Sequence, residues 1–241
     1  APQTGEHLVE IGPGKGALTA RLAQACDQLT AIELDRDLIP WLRVGFERHP
    51  GFRLFEADAL SFDFSQLHQT DRPLRILGNL PYNISTPLIF YLLSFTGQVK
   101  DMHFMLQKEV VRRLAAEPGQ KAYGRLSVMV QYHCRVEALF EVPPDAFDPA
   151  PKVDSALVRL TPYPHLPVRA DNHQTLEKLV NLAFQQRRKT LRNALKKLIP
   201  GAQLDNMPVD ASLRAEALSV ADYVALANAL EASDAKLSQG S

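Results

Sequence analysis

The chain has 241 residues, 46% of them apolar, enough for one large domain and one small one, each with its own core. Lys+Arg and Asp+Glu balance at 27 each, so whole-chain charge gives no sign of a nucleic-acid partner, and any such sign must come from local clusters. Two widely spaced cysteines, Cys26 and Cys134, exclude a disulfide framework or a Cys-x-x-Cys zinc site and suit reduced thiols in a cytoplasmic protein.

In chain order, Leu8 to Ile11, Leu29 to Leu34, Phe52 to Phe55, Leu74 to Leu77 and Met102 to Leu106 read as strands. Helical patterns separate them: Ala17 to Ala25, Leu38 to Arg48, a short one near Phe62 to Leu67, and Thr86 to Phe95. This alternation predicts an α/β fold, a Rossmann-like parallel sheet with helices on both faces. Helices follow from Glu109 to about Ala116 and from Gly124 to Cys134. Arg135 to Val142 and Ala156 to Leu160 read as two more strands, joined by a loop holding Pro143, Pro144, Pro149 and Pro151. With no helix between them they are expected to be antiparallel at the sheet edge. Pro162, Pro164 and Pro167 form a stiff linker. Beyond it lie helical patterns only: His173 to Gln186, Thr190 to Leu198 and Val220 to Ala232, with a short turn within Asp205 to Leu213 and a frayed polar end. The expected division is a domain over residues 1–162 and an all-α domain over 163–241. The longest apolar stretch, Leu88 to Phe95, is too short to span a bilayer, so no membrane partner is expected. The chain opens on Ala1, not methionine, so the lack of a visible signal peptide says little.

Glu10-Ile11-Gly12-Pro13-Gly14-Lys15-Gly16 follows the first strand, where glycines let the backbone approach a ligand. With Ala17 it also satisfies the dinucleotide pattern G-x-G-x-x-A, so a dehydrogenase is a rival. Glu33 ends the second strand, Asp58 the third and Asn79 the fourth, at intervals of about one β-α unit. All then fall on the carboxyl edge of the sheet, where such folds bind ligands. Singly, Glu33 and Asp58 suit helix caps or solvated carboxylates equally well. In register with the glycine loop they favour a nucleoside cofactor.

Asn79-Leu80-Pro81-Tyr82 separates the rivals. An exocyclic adenine amine is a poor nucleophile because its lone pair is delocalised into the ring. Two acceptors, the Asn79 amide oxygen and the Leu80 carbonyl, can take its two hydrogens and favour the pyramidal nitrogen that attacks a sulfonium methyl. Pro81 stiffens the turn and Tyr82 offers a ring for stacking. Phe147, the one aromatic of the proline-rich loop, is either a second plate for the base or an anchor pinning that loop. The segment Gln185 to Lys197 holds six basic residues and no acidic one. Arg188, Arg192 and Lys196, four apart, are expected on one helix face, with Arg187 and Lys189 close by. Phosphate binding is the sharper reading and a solvated face the plainer one. The seven histidines show no metal-ligand spacing.

These residues, together with Ile32-Glu33-Leu34-Asp35, Phe104-Met105-Leu106-Gln107-Lys108-Glu109, Tyr123-Gly124-Arg125-Leu126-Ser127, Pro149-Ala150-Pro151-Lys152-Val153-Asp154-Ser155 and Gln186-Arg187-Arg188-Lys189-Thr190-Leu191-Arg192, resemble the bacterial small-subunit (16S) rRNA adenine dimethyltransferases, whose loss gives kasugamycin resistance. The resemblance implies a class I methyltransferase using S-adenosylmethionine and no metal. It implies that Glu10, Gly12, Gly14, Glu33, Asp58 and Asn79 bind the cofactor, and that Asn79, Leu80, Pro81, Tyr82 and Phe147 form the catalytic set. Arg187, Arg188, Lys189, Arg192 and Lys196 are then the RNA-binding set. The implied partner is an immature small ribosomal subunit met by a cytoplasmic monomer, with two adjacent adenosines near the rRNA 3′ end dimethylated. Family members also carry a basic stretch with Gly-Gln-Asn-Phe-Leu before the first strand; six residues precede His7 here. The alternatives are a methyltransferase of large-subunit rRNA and a non-catalytic assembly or transcription factor on the same fold.

Overall fold

The computed structural model describes residues 2–3, 5–69, 72–147 and 150–239. The strands are β1 (His7–Ile11), β2 (Gln28–Glu33), β3 (Phe52–Glu56), β4 (Leu74–Asn79), β5 (Val99–Gln107), β6 (Cys134–Val142) and β7 (Ser155–Pro162). The helices are α1 (Ala17–Ala23), α2 (Ile39–Phe46), α3 (Ser85–Leu92), α4 (Lys108–Leu114), α5 (Arg125–His133), α6 (His173–Gln185), α7 (Leu191–Leu195), α8 (Gly201–Leu204) and α9 (Val220–Gln239). The strands form one sheet in the order β3-β2-β1-β4-β5-β7-β6. β1 to β5 pair in parallel, and β7 runs antiparallel to both β5 and β6. The expected antiparallel edge is therefore present.

All five residues of β1 are buried, as expected of a central parallel strand covered on both faces. Even its polar His7 is enclosed, with Nε2 and the Thr30 hydroxyl 2.9 Å apart. Leu8, Leu22, Cys26 and Leu29 form a core cluster joined by Ala23, Phe52 and Leu77. The chain leaves β1 towards β2 on one side and reaches β4 on the other, so the strand order reverses between β1 and β4. A crevice forms at the carboxyl ends of strands flanking such a reversal. Gly78 brings these two strands close: a Cβ there would lie 2.5 Å from the Ile11 carbonyl oxygen.

The chain forms two compact units, divided differently from the break expected at residue 162. The first holds the chain up to Val111 with Cys134–Pro164. The second holds Arg112–His133 with the chain from His165 onward. α5 belongs to the second because it packs on α6 and α9. It buries Leu126, Val128, Met129 and Val130, and Arg125 pairs with Glu177 of α6 at 2.8 Å. On α6, Leu176, Leu179, Val180 and Ala183 are buried at helical spacing, and Asn172 caps its start by accepting from Gln174 and Thr175. One more expectation is corrected: the polar C-terminus is helical to Gln239. The turn expected within Asp205 to Leu213 is present and follows a short helix, α8.

Candidate functional site

Gly12, Gly14 and Gly16 all sit in the left-handed region, at φ 68°, 57° and 82°. Side chains pay strain there, so glycine is required. A Cβ at Gly12 or Gly14 would meet nothing within 4 Å, so both lie against open space that a ligand can fill. Gly16 differs: its Cβ would lie 2.9 Å from the Phe46 ring, so this glycine serves packing against α2.

Glu33, at the end of β2, is 8% exposed and held by three backbone donors. Gly14 N–H donates to Oε2 at 3.1 Å, and Leu34 and Asp35 N–H donate to Oε1 at 2.9 Å each. Such a carboxylate is oriented in advance, with lone pairs left for a hydroxyl donor. Glu10 lies deeper, 2% exposed, and accepts from the Thr19 hydroxyl at 2.7 Å. Burial pushes its carboxyl up to about 7; the Thr19 bond opposes this, and the Glu33 charge adds to it. Asp58 is exposed and stands two residues beyond β3, which ends at Glu56, so it lies in the following loop and does not end the strand. Its Oδ1 accepts from Leu60 N–H at 2.9 Å, an Asx turn that presents the side chain.

Asn79 does end β4. The last rung of that ladder is Leu80 N–H donating to the Met105 carbonyl at 3.2 Å, which fixes the backbone as it leaves the sheet. The Pro81 carbonyl accepts from Ile84 and Ser85 N–H at 3.2 and 3.1 Å, so the turn leads straight into α3. The Asn79 side chain is exposed. Among the described residues, neither its amide nor the Leu80 carbonyl has a hydrogen-bond partner. Beside Asn79 opens a cavity of about 270 Å³ with Leu18, Leu77, Met105 and Leu157 in its walls. Tyr82 is 39% exposed, with its hydroxyl 3.3 Å from the Ser155 hydroxyl and its carbonyl accepting from the Ser85 hydroxyl at 3.1 Å. Phe147 is half-buried, and no ring contact joins it to Tyr82 among the described residues. Asp148 and Pro149 lie outside the described residues.

Sequence reasoning missed Ser155, Ser85, Thr19 and Gly78. Gly78 had a signal, a glycine inside a strand. Ser85 had a local one, a serine three residues after Tyr82 at the start of a helix; Ser155 and Thr19 had none, since their partners come from the fold.

The basic segment departs from its expected form. α6 ends at Gln185 and α7 spans only Leu191–Leu195, so Arg188, Arg192 and Lys196 share no helix face. Thr190 interrupts the helix: it is extended, at φ −65° and ψ 158°, and bridges to Arg214. Distant carboxylates also neutralise part of the run. Arg187 pairs with Glu216 at 2.7 Å and donates to the Lys121 carbonyl, and Arg192 is held by both oxygens of Asp205. Arg188, Lys189 and Lys196 are exposed, with no ion-pair partner among the described residues.

Both cysteines are free and buried. Burial raises the thiol of Cys26 to about 11 and that of Cys134 to about 12. No helix among the described residues is long and apolar enough to cross a membrane.

The family of ribosomal RNA adenine dimethylases matches residues 1–232. The chain is 60% identical over 229 residues to ribosomal RNA small subunit methyltransferase A of Saccharophagus degradans, covering 95% of this chain and 85% of that one. The protein of the same name from Pseudomonas putida is 58% identical over 228 residues, at the same coverage. Among solved structures, a dimethyladenosine transferase from Plasmodium falciparum superposes with a TM-score of 0.76 at 26% identity, over 93% of this chain and 90% of that one. The 23S rRNA methyltransferase ErmE gives 0.72 at 25%, over 95% and 93%. The chain belongs to the ribosomal RNA adenine dimethylase family.

Proposed function

We propose that the chain transfers methyl groups from S-adenosylmethionine to the N6 amines of two adjacent adenosines near the 3′ end of small-subunit rRNA, dimethylating each. The observation that carries this reading is the pair of acceptors without a partner among the described residues, the Asn79 amide and the Leu80 carbonyl, at the end of the strand next to the glycine loop.

The cofactor site fits its ligand. Gly12 and Gly14 leave open space where side chains would stand, and Glu33 is preset by three N–H donors. Glu33 would accept from the ribose hydroxyls, Asp58 from the adenine amine, and the Gly12–Gly14 backbone would lie alongside. When bound, S-adenosylmethionine supplies an electrophilic methyl group. The chain does the rest at the target nitrogen. Asn79 Oδ1 and the Leu80 carbonyl accept its two hydrogens and release its lone pair from the ring. Tyr82, with Phe147 as the second plate, holds the base after it leaves its stack. Asn79 is neutral, so the amine keeps its acceptor without a charge that would grip a methylated product.

In this reading the first unit is catalytic and the helical second unit docks on the ribosomal subunit, with Arg188, Lys189 and Lys196 facing phosphate. Arg187 and Arg192 shape the segment. The enzyme acts as a cytoplasmic monomer without a metal. The small-subunit names of relatives at 60 and 58% identity favour this substrate over large-subunit rRNA. The test is incubation with unmethylated small subunits and labelled S-adenosylmethionine, followed by mapping of the label. Dimethylation of two neighbouring adenosines is expected; small-subunit rRNA left without label would overturn the reading.

A further inference from the structure

We propose that Ser155 is a positioning residue for Tyr82 and fixes the plane in which that ring receives the target base; this rests on the stacking role given to Tyr82 above. The two residues are 73 positions apart, and β5 lies between β4, which the Tyr82 turn follows, and β7, which Ser155 opens. Their hydroxyls nevertheless share a hydrogen bond of 3.3 Å.

The two ends of that bond differ in freedom. Ser155 is 2% exposed and paired within the sheet, opposite Gln107 on one side and Val142 on the other. Its hydroxyl is out of water, and Tyr82 is its hydrogen-bond partner among the described residues, so polar satisfaction ties the two together. Tyr82 is 39% exposed on a turn, where a side chain ordinarily samples several rotamers. Here it is held at both ends, its carbonyl by the Ser85 hydroxyl and its phenol by Ser155. A ring fixed beforehand loses no rotamer freedom when a base arrives. It also keeps the stacking geometry on which aromatic contacts depend. Ser155 stands eight residues after Phe147, at the start of β7.

The experiment compares Ser155→Ala, Tyr82→Phe and the double variant in methyl transfer to unmethylated small subunits. Thermal melting and calorimetry with S-adenosylmethionine accompany it. Each single variant is expected to raise KM for subunits roughly threefold to tenfold, the range of one neutral hydrogen bond. Cofactor affinity stays unchanged, the double variant is no worse than either single, and Ser155→Thr restores activity. Wild-type KM in both single variants, or losses that multiply in the double, would overturn the proposal. Should Ser155→Ala melt early, Tyr82→Phe carries the test, because it leaves the buried serine in place. Tyr82→Ala separates the two levels. Full activity there sinks the stacking role itself. Loss there, beside full activity in Ser155→Ala and Tyr82→Phe, sinks only the role of Ser155.

Discussion

The glycine loop with its sheet-edge partners and the basic segment Gln185 to Lys197 are both sequence motifs of the kind that meets nucleotides, yet the fold treats them in opposite ways. At the sheet edge, Glu33 is aimed outward by three backbone N–H groups, and Gly12 and Gly14 keep space clear in front of it. In the basic segment, Arg187 and Arg192 are turned onto Glu216 and Asp205. A site in register with a sheet is held by local backbone. A run of charge is sorted by whatever carboxylates the tertiary fold delivers.

The largest expected effect lies at the sheet edge. Asn79→Ala should lower kcat about a thousandfold, as removal of a transition-state hydrogen-bonding group does. Subunit binding should stay near wild type, as read by filter binding. A wild-type rate would break the comparison outright, because the edge would then be no more committed than the basic run.

Glu10 tests the edge through pH. Its folded carboxyl stands at about 7, above the unfolded value of 4.5, so the stability it contributes is full below about pH 4.5 and is lost as pH rises through about 7. Against wild type, Glu10→Gln should gain about 3 kcal/mol between pH 4.5 and 8 in denaturant melts. A pH-independent difference would mean that the proton is not held there.

Gly78→Ala should slow methyl transfer about a hundredfold by shifting the Asn79 loop roughly 1 Å. Cofactor binding, read by calorimetry, should weaken as well, because the Ile11 carbonyl that the new Cβ meets is bonded directly to Gly12.

The smallest effects divide the basic segment. Replacing Arg188 and Lys189 by alanine should weaken subunit binding about tenfold at moderate salt and reduce the salt slope by about 2. Arg187→Ala should instead lower the melting temperature, since it frees Glu216 and the Lys121 carbonyl. Equal salt slopes for the two variants would return Arg187 to the phosphate-binding set.

The first unit was legible because its cues are local and periodic. Gly12 follows the first strand, and Glu33 and Asn79 end the second and fourth, one and then two β-α units further on, so period alone places them on one edge. Asp58 fell two residues beyond its strand, within the usual slack of element boundaries. The shared face of Arg188, Arg192 and Lys196 was misread because their helical spacing says nothing about the bridge that holds Thr190 to Arg214. α5 looked like part of the sheet domain by its place between β5 and β6, but its buried faces pack on α6 and α9. Ser155 offered no cue, because its partner is a turn 73 residues away.

Gly78 has a consequence for sorting relatives. A Cβ at this position collides with the Ile11 carbonyl, so any larger residue must spread the first and fourth strands at their carboxyl ends. Under the function proposed above, that gap would govern how far the bound methyl donor stands from its acceptor. A paralogue that keeps Asn-Leu-Pro-Tyr but has lost the preceding glycine would retain the outline of the pocket without its working distance. One codon thus offers a screen for members that persist as scaffolds after their chemistry has gone.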